Sequence, residues 1–183
     1  MSTAVGFALF PTALGQCGIA WSEAGVVGVL LPEANEAAAR ARLQRRHPQA
    51  AEAAPPPTVQ AAIAGVVRLL EGAAEDLQFV TLDFAGLPEL HQRIYAVARA
   101  IPPGKTMTYG EIARAIGQPG AAQAVGQAMG RNPCPIIMPC HRVLGADGKM
   151  GGFTAPGGVA TKRRLLEIEG ATAVESLPLF GGR

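Results

Sequence analysis

Between Leu90 and Gly130 the chain is cut into three helical lengths by Pro and Gly breaks, and this punctuation limits the possible folds more than any other feature. Leu90, Ile94, Val97, Ala98 and Ile101 recur at helical spacing, and Pro102–Pro103–Gly104 stops that helix. Thr108-x-x-Glu111 then matches a capping box, in which the hydroxyl and the carboxylate each satisfy a free backbone N–H of the first turn. The helix so opened ends near Gly117, and Pro119 and Gly120 separate it from another over Ala121–Gly130. Two short helices across a Gly/Pro turn form a helix-turn-helix pattern. The second is almost all Ala, Gly, Val, Gln and Met, and Gly126 inside it costs about 1 kcal/mol against Ala. So small-sided a helix suits either a tightly packed interior or a close approach to another molecule.

The residues before this region read differently. Val5–Phe10, Gln16–Trp21 and Val26–Leu31 are predicted strands separated by turn residues. Asn35–Arg46 is a predicted helix, 51–57 a loop, Thr58–Leu70 a second helix and Leu77–Phe84 a further strand. The fold class is therefore α+β, with an N-terminal α+β domain over 1–86, a helical C-terminal domain over 87–171 and a tail over 172–183.

Hydrophobic residues make up 49% of the 183, enough for a packed core. The 23 Gly and 15 Pro stay short of the roughly 25–30% that marks low complexity. A net charge of +2 singles out no partner, but its distribution is uneven. Residues 1–87 carry a net −3 and residues 88–170 a net +5. That asymmetry fits a C-terminal half that meets a polyanion, and equally fits chance clustering of solvated charges. No apolar run approaches the ~18 residues of a membrane span, and no basic residue precedes Arg40, so no secretory signal is expected. Three cysteines without a close pair argue against a disulfide framework and for a reducing compartment, the cytoplasm.

The chemistry concentrates at Pro139–Cys140–His141–Arg142–Val143, which follows a predicted short buried strand at Ile136–Ile137–Met138. A free thiol has a pKa near 8.5, and a neighbouring base or cation raises the thiolate fraction; His141 and Arg142 are residue types that do so. A zinc site is disfavoured, because Cys134, Cys140 and His141 lack Cys-x-x-Cys spacing and only Cys17, His47 and His91 remain as distant ligands. A Cys-His hydrolase would need His141 to touch Cys140 directly, and neighbours in extended chain point to opposite faces. No metal or cofactor is called for.

From about Leu90 to Gly170 the chain resembles the O6-alkylguanine-DNA alkyltransferases (methylated-DNA–protein-cysteine methyltransferases). The segments that carry the resemblance are IPPGKTMTYGEIA, GAAQAVGQAMGRNP, PIIMPCHRV, GGF and GGVATKRRLLEIEG, in the family's order. The first half resembles the family's first domain only in size and rough pattern. The resemblance implies a small ribonuclease H-like N-terminal unit followed by a winged-helix-like domain. It implies a monomer that acts on double-stranded DNA containing alkylated guanine, and in a bacterium one associated with the nucleoid. The alkyl group, from O6-alkylguanine or O4-alkylthymine, would pass irreversibly to Cys140 after base flipping, once per chain.

Site roles follow from the same resemblance. His141 and Glu169 would form a relay, through a water, that draws the proton from Cys140. Tyr109 would protonate the guanine ring, and Asn132 would hold the turn between the second helix and the thiol. Tyr109, Met129, Val143 (by its carbonyl), Phe153 and Thr154 would form the base pocket. Thr108, Tyr109, Ala121, Gln123, Ala124, Gly126 and Arg131 would meet DNA. Two departures stand out. Gln123 occupies the place where the family usually has an Arg that fills the vacated base stack, and the loop Phe153–Gly158 looks two residues longer than usual. The rival readings are a lesion-binding alkyltransferase-like protein, against which Cys140 counts, and a helix-turn-helix regulator, for which only Gln123 and Gln127 are available as base readers.

Overall fold

The computed structural model describes residues 2–151 and 153–171; the expected tail 172–183 lies outside them. Strands β1 (Gly6–Thr12), β2 (Gly15–Trp21) and β3 (Val26–Leu30) form an antiparallel meander. After helix α1 (Glu36–Arg46), the two-residue strand β4 (Ala51–Glu52) pairs parallel to β1, giving the order β3-β2-β1-β4. Asn35 caps α1 by accepting from the Ala38 N–H at 2.8 Å. α1 lies on one face, over Ala20, Leu30 and Gly18, where a Cβ would come 2.7 Å from Leu43. The other face carries Cys17, Ile19, Trp21, Val29 and Leu31. It packs on helix α2 (Pro57–Leu70), which starts with Pro at its first position, where the missing N–H costs nothing.

That second face also covers the C-terminal half. One buried cluster runs from Ile19 and Val29 through Val66 and Leu69 to Ile94, Tyr95, Ile112, Val125 and Cys140. The outer edge of β3 is closed by backbone bonds to Thr81, Asp83 and Pro133, so the sheet presents no open edge on that side.

In the second half α3 (Glu89–Arg99) is followed by β5 (Met107–Thr108), α4 (Tyr109–Ala115) and α5 (Ala122–Gly130). The Thr108/Glu111 capping box is formed, with Thr108 N–H to Glu111 at 2.6 Å and Glu111 N–H to Thr108 Oγ1 at 3.2 Å. Gly117, at φ 74°, ends α4 as a left-handed cap, with N–H bonds from Gly117 to Arg114 and from Gln118 to Ala113. After the thiol, β6 (Val143–Leu144) pairs parallel with β5, and α6 (Gly158–Ile168) closes the described chain. No helix of the described residues is long and apolar enough to cross a membrane.

Two expected strands are absent. Leu77–Phe84 forms a 3-10 turn at Leu77–Phe79 and a single bridge from Leu82 to Val26. The Arg99 guanidinium takes the carbonyls of Leu77, Gln78 and Val80 at 2.9–3.2 Å, so a side chain satisfies the acceptors that a ladder would have used. Ile136–Met138 is buried but turned rather than extended: Met138 N–H bonds Cys134 at 2.8 Å, and Ile136 sits at φ 74°. A three-residue apolar run bracketed by Pro135 and Pro139 is too short to hold a strand against that turn. Within 51–57, read as loop, β4 carries too few residues to show a pattern.

Candidate active site

The turn between α5 and Cys140 is shaped by one side chain. Asn132 donates from Nδ2 to the Met138 carbonyl (2.8 Å) and accepts from the Cys134 N–H (2.9 Å). These bonds span the left-handed Ile136, a conformation costly for a β-branched residue and held here from both sides. Cys140–Arg142 then forms a 3-10 turn, not the extended chain the hydrolase comparison had assumed. The turn sends Cys140 toward a cavity and His141 and Arg142 into the interior.

Behind the thiol lies a buried ionic cluster. Glu169 caps the C-terminus of α6, yet its side chain is only 1% exposed, which excludes a solvated glutamate. One carboxylate oxygen accepts from His141 Nε2 at 2.8 Å and from Arg142 Nη2 at 2.7 Å, and Arg142 Nε adds bonds at 3.0 and 3.2 Å. Arg142 Nη1 also donates to the Ile101 carbonyl at 2.6 Å. Burial alone would raise the Glu169 pKa, but hydrogen bonds from His141 and Arg142 and the Arg142 charge win, and it falls to about 2. Burial keeps His141 below its ordinary value and therefore neutral near pH 7. An ionised Glu169 can only accept, so the proton of neutral His141 sits on Nε2. Nδ1, buried with no partner among the described residues, is left with its lone pair free. Arg142, expected to favour the thiolate, is instead committed to Glu169.

The charge beside the thiol comes from Lys162. Its side chain is fully buried on α6, and Nζ donates to the Val143 carbonyl at 2.6 Å. It makes no ion pair among the described residues. Burial holds the Cys140 thiol above its ordinary value, while the Asn132 side chain and the Lys162 ammonium pull it down. Sequence reading passed over Lys162 because it stands in a basic run with Arg163 and Arg164. Helical phase gives the available signal, since Lys162 shares a buried stripe with Leu165 and Leu166 while its two neighbours face out.

Cys140 lies in the wall of a cavity that opens to solvent. Tyr109, Met129, Phe153 and Thr154 line it, Tyr109 being carried there by the β5–β6 pair. Burial and the nearby Cys140 raise the Tyr109 pKa, which keeps the phenol protonated. Val143 is not among the lining residues; its carbonyl accepts from Lys162, which is. The Thr154 hydroxyl is likewise turned away, donating to the Gly130 carbonyl at 3.0 Å. Asn132, Pro135, Ala155, Pro156 and Lys162 also line it, and the first half contributes Val29, Leu30, Leu31 and Arg46. No motif had marked the first-half residues.

Of the residues expected to meet DNA, Thr108 and Ala121 head α4 and α5. Gln123 and Arg131 are exposed, and Ala124 and Gly126 partly so. A Cβ at Gly126 would meet nothing within 4 Å. Internal packing therefore does not require a glycine there, and the small-sided face of α5 is an outer one.

A profile described as 6-O-methylguanine DNA methyltransferase, DNA binding domain, matches residues 89–171. The methylated-DNA–protein-cysteine methyltransferase of Methanothermobacter thermautotrophicus is 34% identical over 155 residues, 85% of this chain and 80% of that one. The protein of the same name from Mycobacterium tuberculosis is 52% identical over 101 residues, 55% of this chain and 59% of the relative. A crystal structure of Mycobacterium tuberculosis OGT in complex with DNA superposes with a TM-score of 0.73 at 32% identity, covering 93% of this chain and 98% of the other. The chain belongs to the methylated-DNA–protein-cysteine methyltransferase family.

Proposed function

We propose that this chain repairs alkylated DNA by direct reversal, moving the alkyl group from O6 of an extruded guanine to the Cys140 sulfur. The observation that carries this reading is a thiol in the wall of a cavity lined by Tyr109, Met129 and Phe153, with the His141–Glu169 pair behind it and a buried ammonium beside it. The His141 Nδ1 lone pair receives the thiol proton through a water. The sulfur attacks the alkyl carbon in line, forming the C–S bond as the C–O6 bond breaks. Tyr109 gives its phenolic proton to the guanine ring as negative charge develops, and the proton taken from the thiol restores the phenol through solvent. The products are neutral guanine and a thioether, so each chain reacts once. Lys162 stabilises the transient thiolate and fixes the Val143 carbonyl.

A guanine stacked in a duplex is out of reach of any thiol, so the base must be flipped out. The open face of α5 suits close approach to the minor groove, which admits little more than small side chains. The division near residue 87 stands as part of this reading, with 87–171 as the reactive domain, 1–86 supplying a wall of its cavity, and a monomer acting on DNA in the cytoplasm. The test is intact-protein mass after incubation with a duplex containing O6-methylguanine. At most one methyl group per chain is expected, on the peptide containing Cys140, and none with Cys140→Ser. Repeated turnover, or label on Cys17 or Cys134, would overturn the reading.

A further inference from the structure

Beside the Cys140 cavity lies a second cleft that the transfer chemistry does not use. Arg46 and His47, at the end of α1, form one wall; Arg131, Asn132 and Pro133 form the other. Arg46, Asn132 and Thr154 line both spaces, so the cleft opens onto the mouth of the cavity. The walls are fixed by the 2.9 Å bond from the Val29 N–H to the Pro133 carbonyl. Gly28 makes room for the imidazole: a Cβ there would lie 2.9 Å from His47 Nε2.

The charge in this cleft has one sign. Among the described residues no Asp or Glu lines it, and neither Arg46 nor Arg131 makes an ion pair. Glu33, the carboxylate whose charge reaches Arg46, is held by Arg42 at 2.9 Å. The helix dipole favours cations in the last turn of α1, but it favours Arg45 and Arg46 alike, and only Arg46 lines the cleft. Two guanidinium groups and an imidazole converging without a carboxylate select an anion. A nucleotide whose base enters the Cys140 cavity leaves its phosphates at the mouth. Meanwhile Ala122–Gly130, the helix expected on the DNA, carries no charged side chain.

We infer that Arg46 and Arg131 together grip the DNA backbone phosphate that flanks the extruded nucleotide, which makes the N-terminal half part of the DNA-binding surface. This deepens the alkyl-transfer reading and rests on it. The two arginines, one from each half, act on the backbone at the cavity mouth, a place apart from the base stack that Gln123 faces.

The experiment measures affinity for a duplex containing O6-methylguanine across a salt series, in a Cys140→Ser background that prevents reaction. Arg46→Gln and Arg131→Gln are each expected to weaken binding several-fold at low salt and to reduce the slope of log K against log salt by about one, the signature of one lost phosphate contact. Arg46→Lys keeps the slope, and Arg45→Gln, at the same helix end, leaves it unchanged. An unaltered slope in Arg46→Gln, or an equal loss in Arg45→Gln, overturns the inference. So does a reaction with free O6-benzylguanine that Arg46→Gln slows as much as repair of duplex DNA, because the residue would then act on the cavity itself. Methyl transfer by the unsubstituted chain alongside any of these outcomes leaves the alkyl-transfer reading standing; no transfer by that chain removes both.

Discussion

In the sheet half, β1, β2 and β3 are held by backbone ladders, and apart from the buried Asp83 most charged side chains stay outside: Arg40 spans Glu36 and Glu52 with all three about half exposed. Around Cys140 little backbone is in a ladder, and side chains do that work. Asn132 reaches Met138, Arg142 reaches Ile101, Lys162 reaches Val143 and Tyr95 reaches Ala128, and the ions are buried. A ladder spreads its energy over many equivalent bonds. The reactive segment relies on a few bonds from individually indispensable groups, which can hold a thiol, an imidazole and a turn in one arrangement that no regular element provides.

The largest effect expected from this contrast is at Glu169. Glu169→Ala leaves Arg142 and His141 buried without their acceptor and should cost about 3–5 kcal/mol, read from urea denaturation. The pH dependence has a definite sign. The folded carboxyl lies at about 2, below its ordinary 4.5, so its contribution is present above about pH 4.5 and disappears as pH falls from there toward 2. The Glu169→Gln variant should lack that part of the acid dependence. A cost below about 1 kcal/mol would place the cluster with ordinary surface pairs and dissolve the contrast.

Gln123→Arg should speed repair of duplex DNA about tenfold, equivalent to ~1.4 kcal/mol, by supporting the flipped state, and should affect reaction with free O6-benzylguanine far less. No acceleration would mean that Arg131 already supplies what Gln123 lacks. Gly126→Ala sharpens the reading of α5 as an outer face: with open space at that position, the free protein should gain about 1 kcal/mol in helix propensity while binding DNA more weakly. Unchanged binding would show that α5 does not approach DNA closely. The smallest effect is expected in the sheet half, where Glu52→Gln removes an exposed pair and should leave the denaturation midpoint within error.

How much of this could be read beforehand follows the same divide. The helix-turn-helix was legible because Thr108, Glu111, Gly117 and Pro119 act locally, through caps and breaks that need no tertiary partner. The PCHRV segment was legible as chemistry, and its neighbours as members of a family pattern. What escaped was set by distant partners. Arg99 determined the shape of 77–80, Asn132 that of 134–138, and the β5–β6 pair joins two dipeptides 36 residues apart. Arg46 entered the cavity wall because α1 lies where it does across the sheet, which no spacing within α1 records.

Lys162 also bears on what a reacted molecule becomes. Its ammonium sits in the interior facing a carbonyl and a neutral thiol, and an anion meets it there only while Cys140 is ionised. Once the sulfur carries an alkyl group, that anion can never form again, and the burial that lowers the Lys162 pKa is no longer opposed by Cys140. The unreacted chain has its thiol held above the ordinary range, so it keeps this contribution below that range and loses it as pH rises through the folded value. A thioether has no proton to lose. The reacted protein should therefore lack Cys140's share of the alkaline decline in stability, a lasting record, legible in a titration, that the molecule has already fired.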